Sequence, residues 1–242
     1  MCSSDLNATY TETLSTGSFT STSTNFTTSG SASGIAGGSS GSGNLLVGLG
    51  SGLSAGAVSG TTTLALFSNA VNSSGLAQQS VGSQTITITG GVYDRAAAVY
   101  TGTTLAFGNV RTSGTVASQT VAFGNKTITN SSFQDLLNVS GSTANSFVSV
   151  TGFSNLAAST NGATTSNLSV GVSTGTAGSL ASTVSLNLVS NANGVVGLSS
   201  GTAGVVGTPS AITTTGGVYD YAQAVYTGTT LAFGIEIGRA HV

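Results

Sequence analysis

A nineteen-residue stretch is written twice in this chain. GGVYDRAAAVYTGTTLAFG runs from Gly90 to Gly108 and returns as GGVYDYAQAVYTGTTLAFG from Gly216 to Gly234, with Asp94 and Asp220 126 residues apart. The match extends upstream at an offset of 123: NLLVGLGSG from Asn44 aligns with NLSVGVSTG from Asn167. NATYTETL from Asn7 likewise aligns with NSSFQDLL from Asn130, pairing Tyr10 with Phe133 and Glu12 with Asp135. The offset changes in a variable loop after Asn69 and its counterpart near Asn191. A period near 125 is domain-sized, whereas solenoid coils repeat every ~20 to 50 residues. The expected organisation is an incomplete first repeat over 7–98, a complete one over 99–224 and the first strand of a third over 225–235.

Within a repeat, apolar residues alternate with period two, the mark of a strand with one buried face. Leu105 and Phe107 form one pair; Val121 and Phe123 form the next, with Ile128 closing that stretch. Val148 and Val150 follow, then Leu168, Val170 and Val172, then Val184, Leu186 and Leu188. The final strand carries Ile86 and Ile88 in the first repeat but only Ile212 among threonines in the second. Ser29 to Gly43 reads as a flexible Gly/Ser loop. Charged residues are only 4% of the chain, there are 36 Gly and one Pro, and the formal net charge is −2. Disordered chains usually combine low hydrophobicity with high net charge. The expected fold is all-β: tandem β-sandwich domains with apolar inner faces and Thr, Ser and Asn outside, the first incomplete.

TTLAFGNV at Thr103–Val110, followed by SQTVAFGNKTITN at Ser118–Asn130, resembles the opening strands of bacterial choice-of-anchor D repeats. These are immunoglobulin-like modules related to the ASPM-SPD2-Hydin type. ITITGGVYDRA resembles their closing strand and junction, and the resemblance spans Asn7 to Ile235. The chain departs from the pattern after FGNVR, where TSG stands in place of the more usual Val-Gly pair. The resemblance implies immunoglobulin-like sandwiches strung in tandem in a large exported structural protein, without catalytic residues.

Both ends read as translated sequencing adapter. EIGRAHV (Glu236–Val242) and MCSSDL (Met1–Leu6) correspond to opposite strands of one oligonucleotide. On that reading residues 1–6 and 236–242 are adapter-derived tails, and the segment is a fragment of a longer, metagenomic sequence. Cys2 and His241, the only thiol and the only imidazole, then fall outside the natural sequence.

Those losses bear on function. A serine or threonine nucleophile needs a neighbouring base, and between Asn7 and Ile235 the basic residues are Arg95, Arg111 and Lys126. Paired-carboxylate chemistry needs two acids in one site, yet Glu12 and Asp135, like Asp94 and Asp220, are equivalent positions of different repeats. No basic patch for nucleic acid can be assembled from so few cations. No apolar run is long enough for a membrane-spanning helix. Gly50-x-Gly52-x-x-Ala55 has dinucleotide-fingerprint spacing, but that motif requires a following helix and an acidic residue about 20 positions on. Here a strand is expected next, and no acid intervenes before Asp94. The Asn-x-Ser/Thr triplets at Asn7, Asn25, Asn72, Asn125, Asn130, Asn138 and Asn167 follow from composition. The expectation is a protein that is not an enzyme and takes no cofactor.

The candidate functional positions lie at the junction between repeats: Tyr93, Asp94, Tyr100, Tyr219, Asp220 and Tyr226. The tyrosines are expected to seal the contact between domains, with their hydroxyls wet. A carbohydrate-stacking surface is the sharper reading, weakened by the absence of Trp. Each junction aspartate is expected to accept backbone N–H groups of its turn rather than to hold calcium, which wants several oxygen ligands. The expected role is a stalk or adhesive spacer of an extracellular or cell-surface bacterial protein. Its partners would be the neighbouring repeats, with surface glycans or other cells beyond them. The alternative is a β-solenoid adhesin or autotransporter passenger.

Overall fold

Short alternating runs of β-branched residues on a Gly/Ser background favour pleated strands joined by tight turns. The computed structural model describes residues 11–41, 45–71, 74–207 and 211–228, and these are all-β apart from two single 3-10 turns. In chain order the strands are β1 (Thr13–Ser21), β2 (Phe26–Ser29), β3 (Leu46–Leu49), β4 (Gly56–Asn69), β5 (Gln79–Val92) and β6 (Ala97–Tyr100). There follow β7 (Thr104–Arg111), β8 (Gln119–Asn125), β9 (Leu136–Ser142), β10 (Val148–Thr151), β11 (Phe153–Leu156) and β12 (Thr165–Val172). The last are β13 (Gly178–Ser179), β14 (Ser182–Asn191), β15 (Gly201–Thr202), β16 (Gly204–Val205) and β17 (Ile212–Tyr219).

From β6 onward two sheets enclose one apolar cluster. One has the order β10-β12-β8-β6-β16; the other runs β11-β9-β14-β17-β13, with β7 added to β17 and β15 to β14. Phe123 and Leu168 from the first sheet and Leu137 and Ile212 from the second are 0–1% exposed within the same cluster. The alternation is met in the packing, because Leu105, Phe107, Val121, Val148, Val170 and Val184 are buried there too. Most neighbours are antiparallel; β7 with β17 and β6 with β16 are parallel. Parallel neighbours need a long crossover, and here nearly the whole unit lies between them.

The first half uses the same pairings. β1 pairs β4 antiparallel as β9 pairs β14, and β4 pairs β5 as β14 pairs β17. β2 pairs β3 as β10 pairs β12. The pairs Thr62↔Ile86 and Gly56↔Val92 find their counterparts in Val184↔Ile212 and Gly178↔Val218. Around β1–β5 no counterpart of β6, β7 or β8 is found among the described residues.

Several expectations change in detail. Ile128 does not close a strand: β8 ends at Asn125, and Ile128 is 55% exposed. Past Asn125 the backbone bonds diverge, Lys126 N–H donating to Ala97 O and Thr127 N–H to Ser159 O, and Ile128 N–H is taken by the side-chain Oε1 of Gln134. The Gly/Ser segment is in part a sheet element. Thr16 N–H donates to Ala32 O at 2.8 Å, Ile35 bridges Leu14, and the stretch stands where β11 stands beside β9; Ser42, Gly43 and Asn44 lie outside the described residues. Ala96 and Ala98 are buried in the second unit's cluster, so that unit takes up the chain a few residues before 99. The isoleucine-rich β5 is the more exposed of the two closing strands, with Ile86 at 36%, while Thr214 of β17 is 1% exposed and donates its hydroxyl to Leu180 O.

Glycine is required by geometry where β7 meets β17. The register shifts between Thr215 and Gly217. Gly108 there has φ 72° and Gly216 φ 135°, a region that glycine alone occupies freely. A Cβ on Gly216 would run into the Gly108 carbonyl oxygen.

Candidate functional site at the junction between units

The junction begins where β5 ends. Tyr93 places its ring against Phe133, centroids 5.2 Å apart and planes tilted by 51°. Phe133 lies on the 3-10 turn Ser131–Phe133, which Asn130 caps by accepting the Ser132 N–H at 3.0 Å. Gly91 lies under both rings; a Cβ there would meet Tyr93 at 3.0 Å and Phe133 at 3.2 Å. Asp94 is stitched to this turn by its backbone: its N–H donates to Phe133 O at 2.9 Å, and its carbonyl accepts from Asp135 N–H at 3.0 Å. The Asp94 carboxylate accepts the Thr129 N–H at 3.0 Å. It does bond a backbone N–H, as expected, but the donor lies 35 residues away rather than in its own turn.

Removing the Tyr93 ring should therefore loosen the two halves of the chain without unfolding either. Tyr93→Ala forfeits an aromatic pair worth about 0.5–1.5 kcal/mol beyond its buried area. Small-angle scattering should show a broader distribution of particle lengths at an unchanged strand signal in circular dichroism; an unaltered distribution would remove the sealing role.

Behind the junction lies a buried polar knot that the sequence did not announce. Asn125 is 0% exposed and makes four hydrogen bonds. Its Oδ1 accepts from Ala97 N–H at 3.0 Å and Gln134 Nε2 at 3.1 Å. Its Nδ2 donates to Asp135 O at 3.0 Å and Leu156 O at 3.1 Å. Gln134 also donates to Lys126 O at 2.8 Å. Beside it, Ala96 N–H donates to Ser190 Oγ at 2.8 Å, and that hydroxyl donates to Asp135 Oδ2 at 2.7 Å. Fully satisfied buried networks of this kind fix one arrangement of the strands they join. The first unit repeats the last element: Ser68 donates its hydroxyl to Glu12 Oε2 at 2.5 Å. Glu12 and Asp135 thus hold equivalent serines in separate units and do not share a site.

The other candidates are placed differently. Tyr100 stacks on Phe123, centroids 4.5 Å apart, so its ring packs against the second unit's core rather than the junction. Tyr219 and Tyr226 are 56% and 86% exposed, and Asp220 is exposed beside them. Arg111 lies over the Tyr221 ring at 4.6 Å, a cation–π contact absent from the repeated motif because Arg95 occupies the matching position in the first copy. The six positions therefore do not form one site. Only Tyr93 and Asp94 meet a neighbouring unit among the described residues, and 229–235 of the expected third repeat lie outside them.

Among the described residues no three His, Cys, Asp or Glu side chains come close enough to hold a metal ion. The cleft between Tyr93, Gln134, Asp135 and the turn Asn191–Val195 has a volume of about 240 Å³, and an open, polar depression lined by Thr112, Asp220, Tyr221 and Gln223 about 480 Å³; typical ligand pockets measure ~300–1,000 Å³. Gly50, Gly52 and Ala55 lie in the connection from β3 to β4, followed by a strand and not by the helix a phosphate site needs. No helix among the described residues is long and apolar enough to cross a membrane. Compared with known proteins, the chain matches no protein-family model, and no curated protein matches it.

Proposed function

We propose that this chain is a non-catalytic structural segment of a large exported bacterial surface protein, a stalk or spacer of tandem immunoglobulin-like β-sandwich repeats similar to choice-of-anchor D modules. The observation that carries the reading is the recurrence of one scaffold. The same strand pairings return at an offset of about 122 to 126 residues, down to the carboxylate–serine bonds Glu12–Ser68 and Asp135–Ser190. The parallel contact of β7 with β17 supports the immunoglobulin-like part, since it lays the opening strand of the unit beside its closing strand. A solenoid would stack parallel strands coil upon coil at short spacing, whereas the sheet neighbours here are mainly antiparallel. The Tyr93–Phe133 contact and the Asp94 backbone bonds supply a junction that sets the angle between successive units.

Function in such a segment comes from reach and from resistance to proteases. Few charges and a buried Asn125 whose hydrogen-bonding positions are all used suit a location outside the cell. Antibodies raised against the chain should label intact cells of the source bacterium as strongly as permeabilised ones. Labelling confined to permeabilised cells would overturn the surface assignment.

A further inference from the structure

The two closing strands, β5 and β17, have nearly the same sequence and different neighbours. ITITGGVY (Ile86–Tyr93) and ITTTGGVY (Ile212–Tyr219) differ at one position. β17 lies between β14 and β7, whereas among the described residues β5 pairs with β4 alone. The opposite edge of the same sheet is covered, since Ala32 and Ile35 bond to β1. β5 thus offers a fourteen-residue open edge, a ready template for a further strand.

Side chains whose counterparts fill the second unit's core are exposed in the first. Leu168 and Val170 are 0% exposed, while Leu45 and Val47 at the matching positions are each 37% exposed. Ile212 is 1% exposed and its counterpart Ile86 36%. The glycines give a second, independent sign. Gly216 adopts φ 135° to pass the Gly108 carbonyl, but Gly90, its counterpart, has no such φ. A Cβ on Gly90 would meet only Val58, at an ordinary 3.5 Å. Gly90 therefore occupies the place of a close approach that no described strand makes.

The chain carries a strand of the required sequence. TGTTLAFG (Thr101–Gly108), which opens β7, is repeated without change at Thr227–Gly234. We infer that the β5 edge is a strand-acceptor site, and that its occupant is the Thr227–Gly234 segment of a second copy of this chain, added in parallel. The β7–β17 register gives the fit: Thr230 opposite Thr87, Leu231 opposite Ile88 and Ala232 opposite Thr89, by analogy with Thr104, Leu105 and Ala106 beside Thr213, Thr214 and Thr215. Main-chain hydrogen bonds would supply affinity, and Leu231 and Phe233 would fill the places that Leu105 and Phe107 fill, 4% and 7% exposed, in the second unit. Acceptor and donor are different segments of the chain, so each contact is head-to-tail and leaves a further acceptor and donor to be matched by another copy or by reciprocal exchange. The inference rests on the equivalence of the two units, not on the cellular location proposed above.

Sedimentation velocity of the full chain over a range of concentrations tests it. Species at multiples of 23.3 kDa should grow with concentration, and a chain ending at Tyr226 should remain single. Leu231→Asp with Phe233→Asp should weaken association by about tenfold or more, because both apolar anchors are replaced by carboxylates that resist burial. Gly90→Ala should do the same while leaving the fold intact, because its added methyl is accommodated at Val58 but blocks the donor. The peptide TGTTLAFGNVR should bind the chain ending at Tyr226 and slow amide exchange along β5. A full chain that stays single at high concentration, association that survives these variants, or protection of another strand would overturn the inference. None of those outcomes would touch the surface-labelling result.

Discussion

Asn125→Ala is expected to remove a large fraction of the second unit's stability. The side chain has no access to solvent, and all four of its hydrogen-bonding positions are used. Its loss strands the Ala97 N–H and the Asp135 and Leu156 carbonyls in a dry interior; Gln134 keeps its bond to Lys126 O. Each unsatisfied group costs about 1–3 kcal/mol. With a water entering the vacated space to offset part of this, the net loss should be about 3–5 kcal/mol. A typical domain has ~5–15 kcal/mol in total, so the urea midpoint of the unit should fall by a large fraction. A loss below about 1 kcal/mol would show that the knot is dispensable. Asn125→Asp adds a directional control. It keeps the acceptor for Ala97 and Gln134 but turns a second oxygen toward two carbonyls, so burial and repulsion raise the folded-state pKa of the new carboxyl above its unfolded value near ~3.9. The folded state then holds the proton more tightly than the unfolded one, and stability must fall as pH rises above ~4. The unaltered chain should not show that added slope.

Phe123→Ala is the second large effect. The ring is 0% exposed, stacks on Tyr100 and lies 6.0 Å from the Phe153 centroid at 59°. It joins the two sheets, because Phe123 belongs to β8 and Phe153 to β11. Truncation leaves a cavity that strands on both sides are too well paired to fill, and Phe→Ala costs ~3–5 kcal/mol in such settings. The denaturation midpoint should drop with little change in slope, since the surface exposed on unfolding is nearly the same. Phe123→Leu should recover more than half of the loss; equal losses for the two variants would mean that the ring stack, not volume, dominates.

How much of this the sequence disclosed depended on whether a residue is apolar. Leu105 and Phe107, Val121 and Phe123, Leu168 and Val170 all advertised their strands by alternation, and all are buried. The repeat disclosed that two units share one plan. β9 went unread although Leu137 and Val139 are among its buried residues, because Asn138, Ser140 and Gly141 dilute the pattern. β6 was hidden for a different reason: its two alanines carry too little area to register, yet Ala98 is 0% exposed. The polar knot could not be read at all. Asn125 stood among Asn-x-Ser/Thr triplets explained by composition, and nothing local separates it from Asn138 or Asn167. Its role arises from Ala97, Gln134, Asp135 and Leu156, which only the fold brings together. At the junction, residue types pointed to Tyr93 and Asp94, but spacing could not reveal that Tyr100 turns inward to Phe123.

The parallel contact of β7 with β17 has a consequence for a chain held under tension. The backbone enters the second unit through β6 and β7 and leaves it at the end of β17, and because β7 and β17 run the same way, the start of β7 and the end of β17 lie at opposite ends of their contact. Pulling on both termini would load β6 first and then slide β7 lengthwise against β17. Every bonded pair from Thr104↔Thr213 to Arg111↔Tyr219 would then resist together, instead of opening one after another as in a hairpin peeled from its end. With Gly108 and Gly216 interlocked midway, the unit would yield abruptly at a high force and behave until then as an inextensible link.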